Sequence, residues 1–437
     1  MNHRSYQEVR LPLEEEPLAL MTRLVHTGLF SPYVVYESGT EWSLAGGALA
    51  SLRLTGHEAA DLSSVAQWLA RTPVTDWRAY GWAAFELGPV LAGTAPSGTD
   101  TVLHLIIPTD EVRTDGTTIL IRSLDPERLD LLARLTRTGH SVAVPTERIH
   151  LPLEDKGNYR AAISAALVEL QDDGPLTKVI LSRRVPVPAR VDLPATYAAG
   201  RRANTPARSF LLDLGGIQAA GFSPETVAEV TPDGRVTSHP LAGTRARTGS
   251  AGEDARLHHD LLSDPKEIHE HAISVKLALE DLAAVCDDTA VTEYMDVLQR
   301  GTVQHLASTV TGQLRDGYGP WHAFAALFPA VTATGIPKTS AYPLIRTLEG
   351  RPRGIYAGAV LTCDADGALD AALVLRSVFQ QDGHCWLQAG AGVVRQSLPE
   401  REHEETCEKL RSISPHLVPA RERPSGEIRP GALLDPR

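Results

Sequence analysis

Ser263-Asp264-Pro265-Lys266-Glu267-Ile268-His269-Glu270 reads as the start of a helix that carries two carboxylates in its first turns. Asp264 suits the N-cap, Pro265 the first helical position, and Glu267 stands three residues after the cap. Ile268, Ala272, Val275, Leu279 and Leu282 predict one buried stripe, with Glu267 and Glu270 pointing well away from it. Residues three apart share a helix face. A second pair, Glu402 and Glu405, lies in Pro399-Glu400-Arg401-Glu402-His403-Glu404-Glu405-Thr406-Cys407-Glu408-Lys409. Ser397 and Glu400 predict the start of that helix, and Glu402, Glu405 and Lys409 share one of its faces. Four carboxylates brought together would repel unless a cation sat between them. A hard divalent ion such as Mg²⁺ prefers oxygen ligands and keeps positions open for water and an anionic substrate.

Each signal has a plainer reading beside it. Taken alone, either glutamate pair reads more readily as solvated helix surface. Lys178 opens the apolar run Lys178-Val179-Ile180-Leu181-Ser182. A lysine at a strand edge is usually a snorkelling surface residue; buried, it becomes a base with a lowered pKa. Gly390-Ala391-Gly392 lacks the third glycine of a dinucleotide fingerprint, since Arg395 stands there. His258-His259 and His269-Glu270-His271 lack zinc spacing. No phosphate-binding G-x-x-x-x-G-K-[ST] run and no G-x-C-x-G elbow is present, so neither an NTPase nor an amidotransferase nucleophile is expected.

The chain has 437 residues, 43% of them hydrophobic, which suits one large domain or two. A formal charge of -12 argues against nucleic acid or an anionic membrane as partner, so an anionic substrate would need a local site. Cys286, Cys363, Cys385 and Cys407, without C-x-x-C spacing, read as free thiols in a reducing cytosol. No apolar signal region opens the chain and no run of about 18 apolar residues exists, so a cytoplasmic protein is expected.

Tyr33 to Glu37, Thr117 to Ile121, Lys178 to Ser182 and Phe210 to Leu214 read as strands. Asp61 to Thr72 and Tyr159 to Gln171 read as helices, the latter ended by Gly174-Pro175. Polar, proline-containing Pro145 to Gly157 reads as a linker between a portion 1–150 and a catalytic region 151–416. Residues 417–437, with Pro419, Pro424, Pro430 and Pro436 among charges, are expected to be a disordered tail.

Several blocks resemble the chorismate-utilising enzymes: anthranilate synthase large subunits, aminodeoxychorismate synthases, isochorismate synthases and salicylate synthases. They are Lys178 to Arg183, Gly221-Phe222-Ser223-Pro224-Glu225, Pro240-Leu241-Ala242-Gly243-Thr244-Arg245, Ser263 to Glu267 and Val303-Gln304-His305-Leu306. Phe328 to Thr332, Thr334-Gly335-Ile336-Pro337-Lys338, Arg353 to Gly358 and Ala389 to Lys409 complete the set. The resemblance runs from about Lys178 to Leu410 and weakens in the N-terminal third, where Tyr33 to Glu37 and Glu41 to Gly47 match. It implies an α+β fold of two large, mostly antiparallel sheets packed together with helices outside. The N-terminal portion then adds strands to the same body, and Pro145 marks no true domain border.

Within the family, anthranilate synthases carry glutamine where Lys178 stands and need a glutaminase partner. Aminodeoxychorismate synthases carry a nucleophilic lysine where Ala242 stands. Isochorismate synthases usually show a His-Pro-Thr-Pro-type run at Ala330 to Lys338. The Thr334 to Lys338 run and Glu405-Thr406-Cys407-Glu408-Lys409-Leu410 resemble salicylate synthases most. The resemblance therefore implies a lyase that turns chorismate, through isochorismate, into salicylate and pyruvate; the alternative is an isomerase that stops at isochorismate. By the same resemblance Lys178 activates water and Glu225 protonates the leaving hydroxyl. Glu267, Glu270, Glu402 and Glu405 hold Mg²⁺. Tyr356, Arg376 and the backbone around Gly390 and Gly392 take the enolpyruvyl carboxylate. Gly243, Thr244, His305, Thr332 and Lys409 line the substrate. A monomer without a glutaminase subunit, serving siderophore or other secondary metabolism, is the expected setting.

Overall fold

The structure, a computed structural model, describes residues 4–94, 100–138, 145–156, 158–170, 174–300 and 303–420. Two sheets dominate it, one of 11 strands and one of 10. The first runs Gln7–Pro12, Thr118–Ser123, Asp110–Thr114, Glu41–Gly46, Tyr33–Ser38, Arg208–Leu214, Ile217–Ser223, Ser377–Gln381, His384–Val393, Lys178–Val187 and Gly335–Ile336 in spatial order. Its neighbours pair antiparallel throughout, and Tyr33–Ser38 lies directly against Arg208–Leu214. The second sheet likewise mixes early strands, Ala50–Thr55, Arg78–Ala83 and Thr101–Ile107, with late ones such as Ala359–Asp364 and Leu369–Leu373. The fold is thus α+β, with both sheets built from both ends of the chain.

Side-chain alternation explains why the first sheet must be covered on both faces. Successive strand residues point to opposite sides. Val34 and Tyr36 enter one core while Val35 enters the other; Phe210 and Leu212 go one way and Leu211 the other. The larger core lies between the sheets, where Tyr36 and Phe210 share it with Tyr80, Trp82, Leu103 and Ala372. The smaller core lies beneath helices Pro17–His26, Pro126–Thr138 and Leu193–Ala203, through Met21, Leu132 and Tyr197. No helix among the described residues is long and apolar enough to cross a membrane. All four cysteines are free and buried.

Four local readings need correction. The buried residues of helix Pro265–Ala283 are His271, Ser274, Val275, Ala278 and Leu282; Ile268, Ala272 and Leu279 are only half-buried. Glu267 and Glu270 therefore continue the inward face one turn before His271 and Ser274, instead of pointing away from it. The cause is polar burial. His271 Nε2 lies 2.6 Å from Ser308 Oγ, and Ser274 Oγ donates to the Glu270 carbonyl at 2.9 Å. Satisfied polar groups can be buried, and a hydrophobic pattern does not register them. Asp264 does cap this helix, accepting from the Lys266 and Glu267 N–H groups. In the last helix, Pro399–Arg411, the N-cap is Leu398, and Ser397 instead accepts from the Val394 N–H at 3.1 Å.

The expected linker and tail also pack. Ile149, Leu151 and Leu153 lie against the smaller core, and the Ile149 N–H donates to the Leu417 carbonyl at 2.9 Å. Leu417 and Val418 are fully buried, so the first residues of the predicted tail belong to the body. The remainder, 421–437, lies outside the described residues, as do Gly157 and Gln171.

Candidate active site

Strands Lys178–Val187 and His384–Val393 pair with Gly390 opposite Ser182 and Gly392 opposite Ile180. Alternation then turns Lys178, Ile180, Gln388, Gly390 and Gly392 to one side, where they form the floor of a cavity of about 500 Å³. The glycines make the floor shallow. A Cβ on Gly392 would stand 2.9 Å from Lys178 Cε, and one on Gly390 would stand 2.8 Å from the Leu181 carbonyl oxygen and 3.1 Å from the Tyr356 hydroxyl. The first glycine leaves room for the lysine to lie flat and buried. The second lets Tyr356 reach the Gly390 backbone, with which it is hydrogen-bonded.

The walls come from places where the chain crosses between sheets. Glu225 falls between Ile217–Ser223 of the first sheet and Thr226–Val230 of the second. Arg376 falls between Leu369–Leu373 of the second sheet and Ser377–Gln381 of the first. Arg376 sits at φ +49°, a left-handed conformation that costs a non-glycine residue on the order of 1–3 kcal/mol. Its carbonyl accepts from the Phe222 N–H at 3.2 Å, which helps hold the bend. Across the cavity, strand Leu241–Ala246 pairs with Val303–Leu314 and bulges between Ala242 and Thr244, with Gly243 at φ +84°. Thr244 thereby faces His305, with Oγ1 3.0 Å from Nδ1. Thr332 enters from the short turn Val331–Ala333.

Glu225 is buried with neutral donors as its hydrogen-bond partners. Thr332 Oγ1 donates to it at 2.8 Å and the Leu241 N–H reaches it at 3.5 Å. Burial dominates and pushes its carboxyl up to about 8, against these donors and the more distant Lys409 and Lys178. At neutral pH it is largely the uncharged acid. Arg376 is half-buried, and no carboxylate partners it among the described residues. Burial and then the nearby Arg300 lower its guanidinium to about 10.

The two glutamate pairs meet at the opposite wall, and cations of the chain itself hold them. Glu267 accepts from Arg245 at 2.9 Å, and Arg245 also reaches Asp264 at 2.5 Å. Glu270 accepts from Lys178 at 2.9 Å, with Lys266 3.7 Å away. Glu405 accepts from Lys409 at 2.7 Å, and Lys409 spends a second proton on the Gly390 carbonyl at 2.8 Å. Among the described residues no three His, Cys, Asp or Glu side chains form a ready-made metal cluster. The carboxylates nonetheless sense one another. Burial first, then Glu405 and, less strongly, Glu270 raise the Glu402 carboxyl above its ordinary value, with Ser397 and Lys266 opposing. Burial works against charge on Glu405 as well, but Lys409 outweighs it and lowers that carboxyl. An all-oxygen set under mutual repulsion suits a hard divalent cation.

Every candidate site residue drawn from the sequence lines this one cavity. Sequence reasoning missed Arg245, Lys266 and Gln388, which line it too. Arg245 closes a family block and Lys266 stands beside Glu267, but an arginine or lysine in such places reads as surface until its carboxylate partner is known. Ser397, expected as a cap, instead accepts from the Val394 N–H and reaches the Gly392 carbonyl at 3.5 Å.

Floor, crossings and carboxylate arms define an α+β enzyme cleft that offers a guanidinium with no carboxylate partner among the described residues, a buried lysine and an uncharged carboxylic acid to a small anionic substrate. Residues 31–415 match the chorismate binding enzyme family. The chain is 41% identical to a salicylate synthase of Mycolicibacterium paratuberculosis, over 94% of this chain and 96% of that one. It is 37% identical to anthranilate synthase component 1 of Methanothermobacter thermautotrophicus, over 66% of this chain and 61% of that one. Among solved structures it is similar to MenF, the menaquinone-specific isochorismate synthase of Escherichia coli, with a TM-score of 0.74 at 24% identity over 94% of both chains. Anthranilate synthase component I of Streptococcus pneumoniae gives 0.71 at 23% identity, over 88% of this chain and 91% of that one. This chain belongs to the chorismate-binding enzymes.

Proposed function

We propose that the protein is a Mg²⁺-dependent salicylate synthase, a lyase that converts chorismate through isochorismate to salicylate and pyruvate. One observation carries the reading: a single cavity holds buried Lys178 on its floor and uncharged Glu225 on a wall, and its lining includes Ala242 where an amino-transferring relative would need a lysine. The near full-length similarity to a salicylate synthase supports it.

The first step adds water at C2 of the ring and expels the C4 hydroxyl, which needs a base and an acid on separate sides. Lys178 takes the proton of the attacking water. Glu225 gives its proton to the departing hydroxyl, and Thr332 and the Leu241 N–H fix the carboxyl for that transfer. Arg376 binds the enolpyruvyl carboxylate through its two-pronged fork, with Tyr356 and the backbone at Gly390 and Gly392 alongside. Gly243, Thr244 and Lys409 border the rest of the substrate. The carboxylates of Glu267, Glu270, Glu402 and Glu405 would hold magnesium, directly or through water. When bound, the ion supplies positive charge to the ring carboxylate. Lys178 must leave Glu270 to act as a base, so its role and that of the glutamate arms are linked. The second step moves a hydrogen from C2 to the enolpyruvyl methylene as pyruvate departs. It asks for bound geometry and no further base.

Without a glutaminase motif or a nucleophilic lysine, the protein works alone, as a cytoplasmic monomer that feeds salicylate to siderophore or other secondary metabolism. Product analysis by mass after incubation with chorismate and Mg²⁺ tests the reading. Equimolar salicylate and pyruvate are expected. Isochorismate without pyruvate would replace it with the isomerase, and anthranilate formed with ammonium salts would reject both.

A further inference from the structure

His305 stands in the block expected to line the substrate, yet its two ring nitrogens are taken by the protein. Nε2 lies 2.8 Å from Arg376 Nη2, and Nδ1 lies 3.0 Å from Thr244 Oγ1. A guanidinium can only donate, so Nε2 must be the acceptor and carry no proton. A neutral imidazole keeps one proton, which must then sit on Nδ1, facing the Thr244 hydroxyl, and a hydroxyl can accept it. One proton, on Nδ1, satisfies both ends. A second would set an imidazolium N–H against a guanidinium N–H. Burial, then Arg376 and Lys409, press the ring toward the neutral state as well.

We infer that His305 is a positioning residue: it stands as the neutral Nδ1–H tautomer, accepts from Arg376, and thereby aims that guanidinium at the substrate, taking no part as acid or base. Arg376 needs such help. It issues from a left-handed bend, and His305 is its one hydrogen-bonded side-chain partner among the described residues. The fork's remaining N–H groups stay available for a carboxylate. Thr244 and the Gly243 bulge are then the tautomer lock, which gives that irregularity in the ladder a purpose. The inference rests on the reading that Arg376 binds a chorismate carboxylate.

The test has two arms. In protein labelled with ¹⁵N-histidine, the His305 signals are found by their absence in His305→Gln. They should show a protonated Nδ1 and a bare Nε2, unchanged from about pH 6 to about pH 8, where an ordinary histidine titrates. An imidazolium or an Nε2–H tautomer in that range overturns the inference, whatever the substrate proves to be. In the second arm, His305→Leu removes the acceptor and should raise KM for chorismate about 10- to 100-fold, the value of one hydrogen bond to a charged group, with a smaller effect on kcat. His305→Gln, which can place an oxygen near Nε2, should recover most of that loss. Equal collapse of kcat in both variants with KM unchanged would mark a proton-transfer role and overturn the proposal. If neither variant folds, Thr244→Val, which removes the Nδ1 partner, identifies the His305 signals by their displacement, and the wild-type spectrum then decides. No turnover of chorismate by the wild type, with the expected tautomer present, would reject the substrate reading and leave the tautomer standing.

Discussion

Two walls of one cavity treat their carboxylates in opposite ways. On one wall Glu225 is buried with only neutral hydrogen-bond donors, and burial raises it to about 8. On the other, Glu267, Glu270 and Glu405 each have a lysine or arginine within 2.9 Å. Charge on a carboxylate survives burial only where a cation offsets the lost water. The same side chain is therefore an acid beside Thr332 and an anion beside Lys409, while burial and Glu405 push Glu402 of the second wall up, and sequence spacing alone would not separate these roles.

The largest effect should come from the anionic wall. Chelation with EDTA is expected to abolish turnover and added Mg²⁺ to restore it. Glu270→Gln or Glu405→Gln should abolish it as well, with circular dichroism unchanged. Full activity in metal-free buffer would remove the distinction between the walls. Next is the acid itself. Glu225→Gln should lower kcat by about 10²–10⁴ while chorismate still binds, because it removes one proton-transfer partner. Lys178→Ala should lose as much on chorismate but still convert some supplied isochorismate. Near-normal turnover of chorismate by either variant would contradict the acid and base roles of these two residues.

The pH dependence sharpens the comparison further. Glu225 must be protonated to act, so kcat/KM should fall as pH rises through about 8. The stability sign follows from the same shift. A carboxyl whose folded value is raised binds its proton more tightly in the folded state. Its contribution to stability is full below the unfolded value, near 4.5, and is lost as pH rises to about 8. Glu225→Gln should therefore gain up to a few kcal/mol relative to wild type on going from about pH 5 to about pH 9, read as a rise in melting temperature. A difference independent of pH would mean that Glu225 is charged throughout. The smallest effect is expected from Thr332→Val. It deletes a donor that favours the charged form, so the alkaline limb should move to higher pH by about one unit, measured as the kcat/KM profile.

How much of this is legible in the sequence varies by kind of feature. Strands such as Tyr33–Ser38 and Lys178–Val187 are legible because their apolar runs are long and punctuated. The Asp264 cap is legible because its chemistry is local. The face of the Pro265–Ala283 helix is misread because His271 and Ser274 are polar yet buried. Ser397 is misread because a serine before a helix can serve the turn behind it as readily as the helix end. Leu417 and Val418 are misread because prolines and charges follow them in sequence while they themselves are buried in the body. The site residues come from family blocks; spacing suggests the glutamate pairs but does not bring them to Lys178. That meeting depends on sheet register, which pairs Lys178–Val187 with a strand about 200 residues later.

Infrared difference spectroscopy between wild type and Glu225→Gln tests the contrast of the two walls most directly. At pH 7 the account predicts one carbonyl band of a protonated carboxylic acid, absent from the variant, and replaced in the wild type by carboxylate bands as pH passes about 8. Carboxylate bands already present at pH 7, with no protonated band to lose, would contradict it.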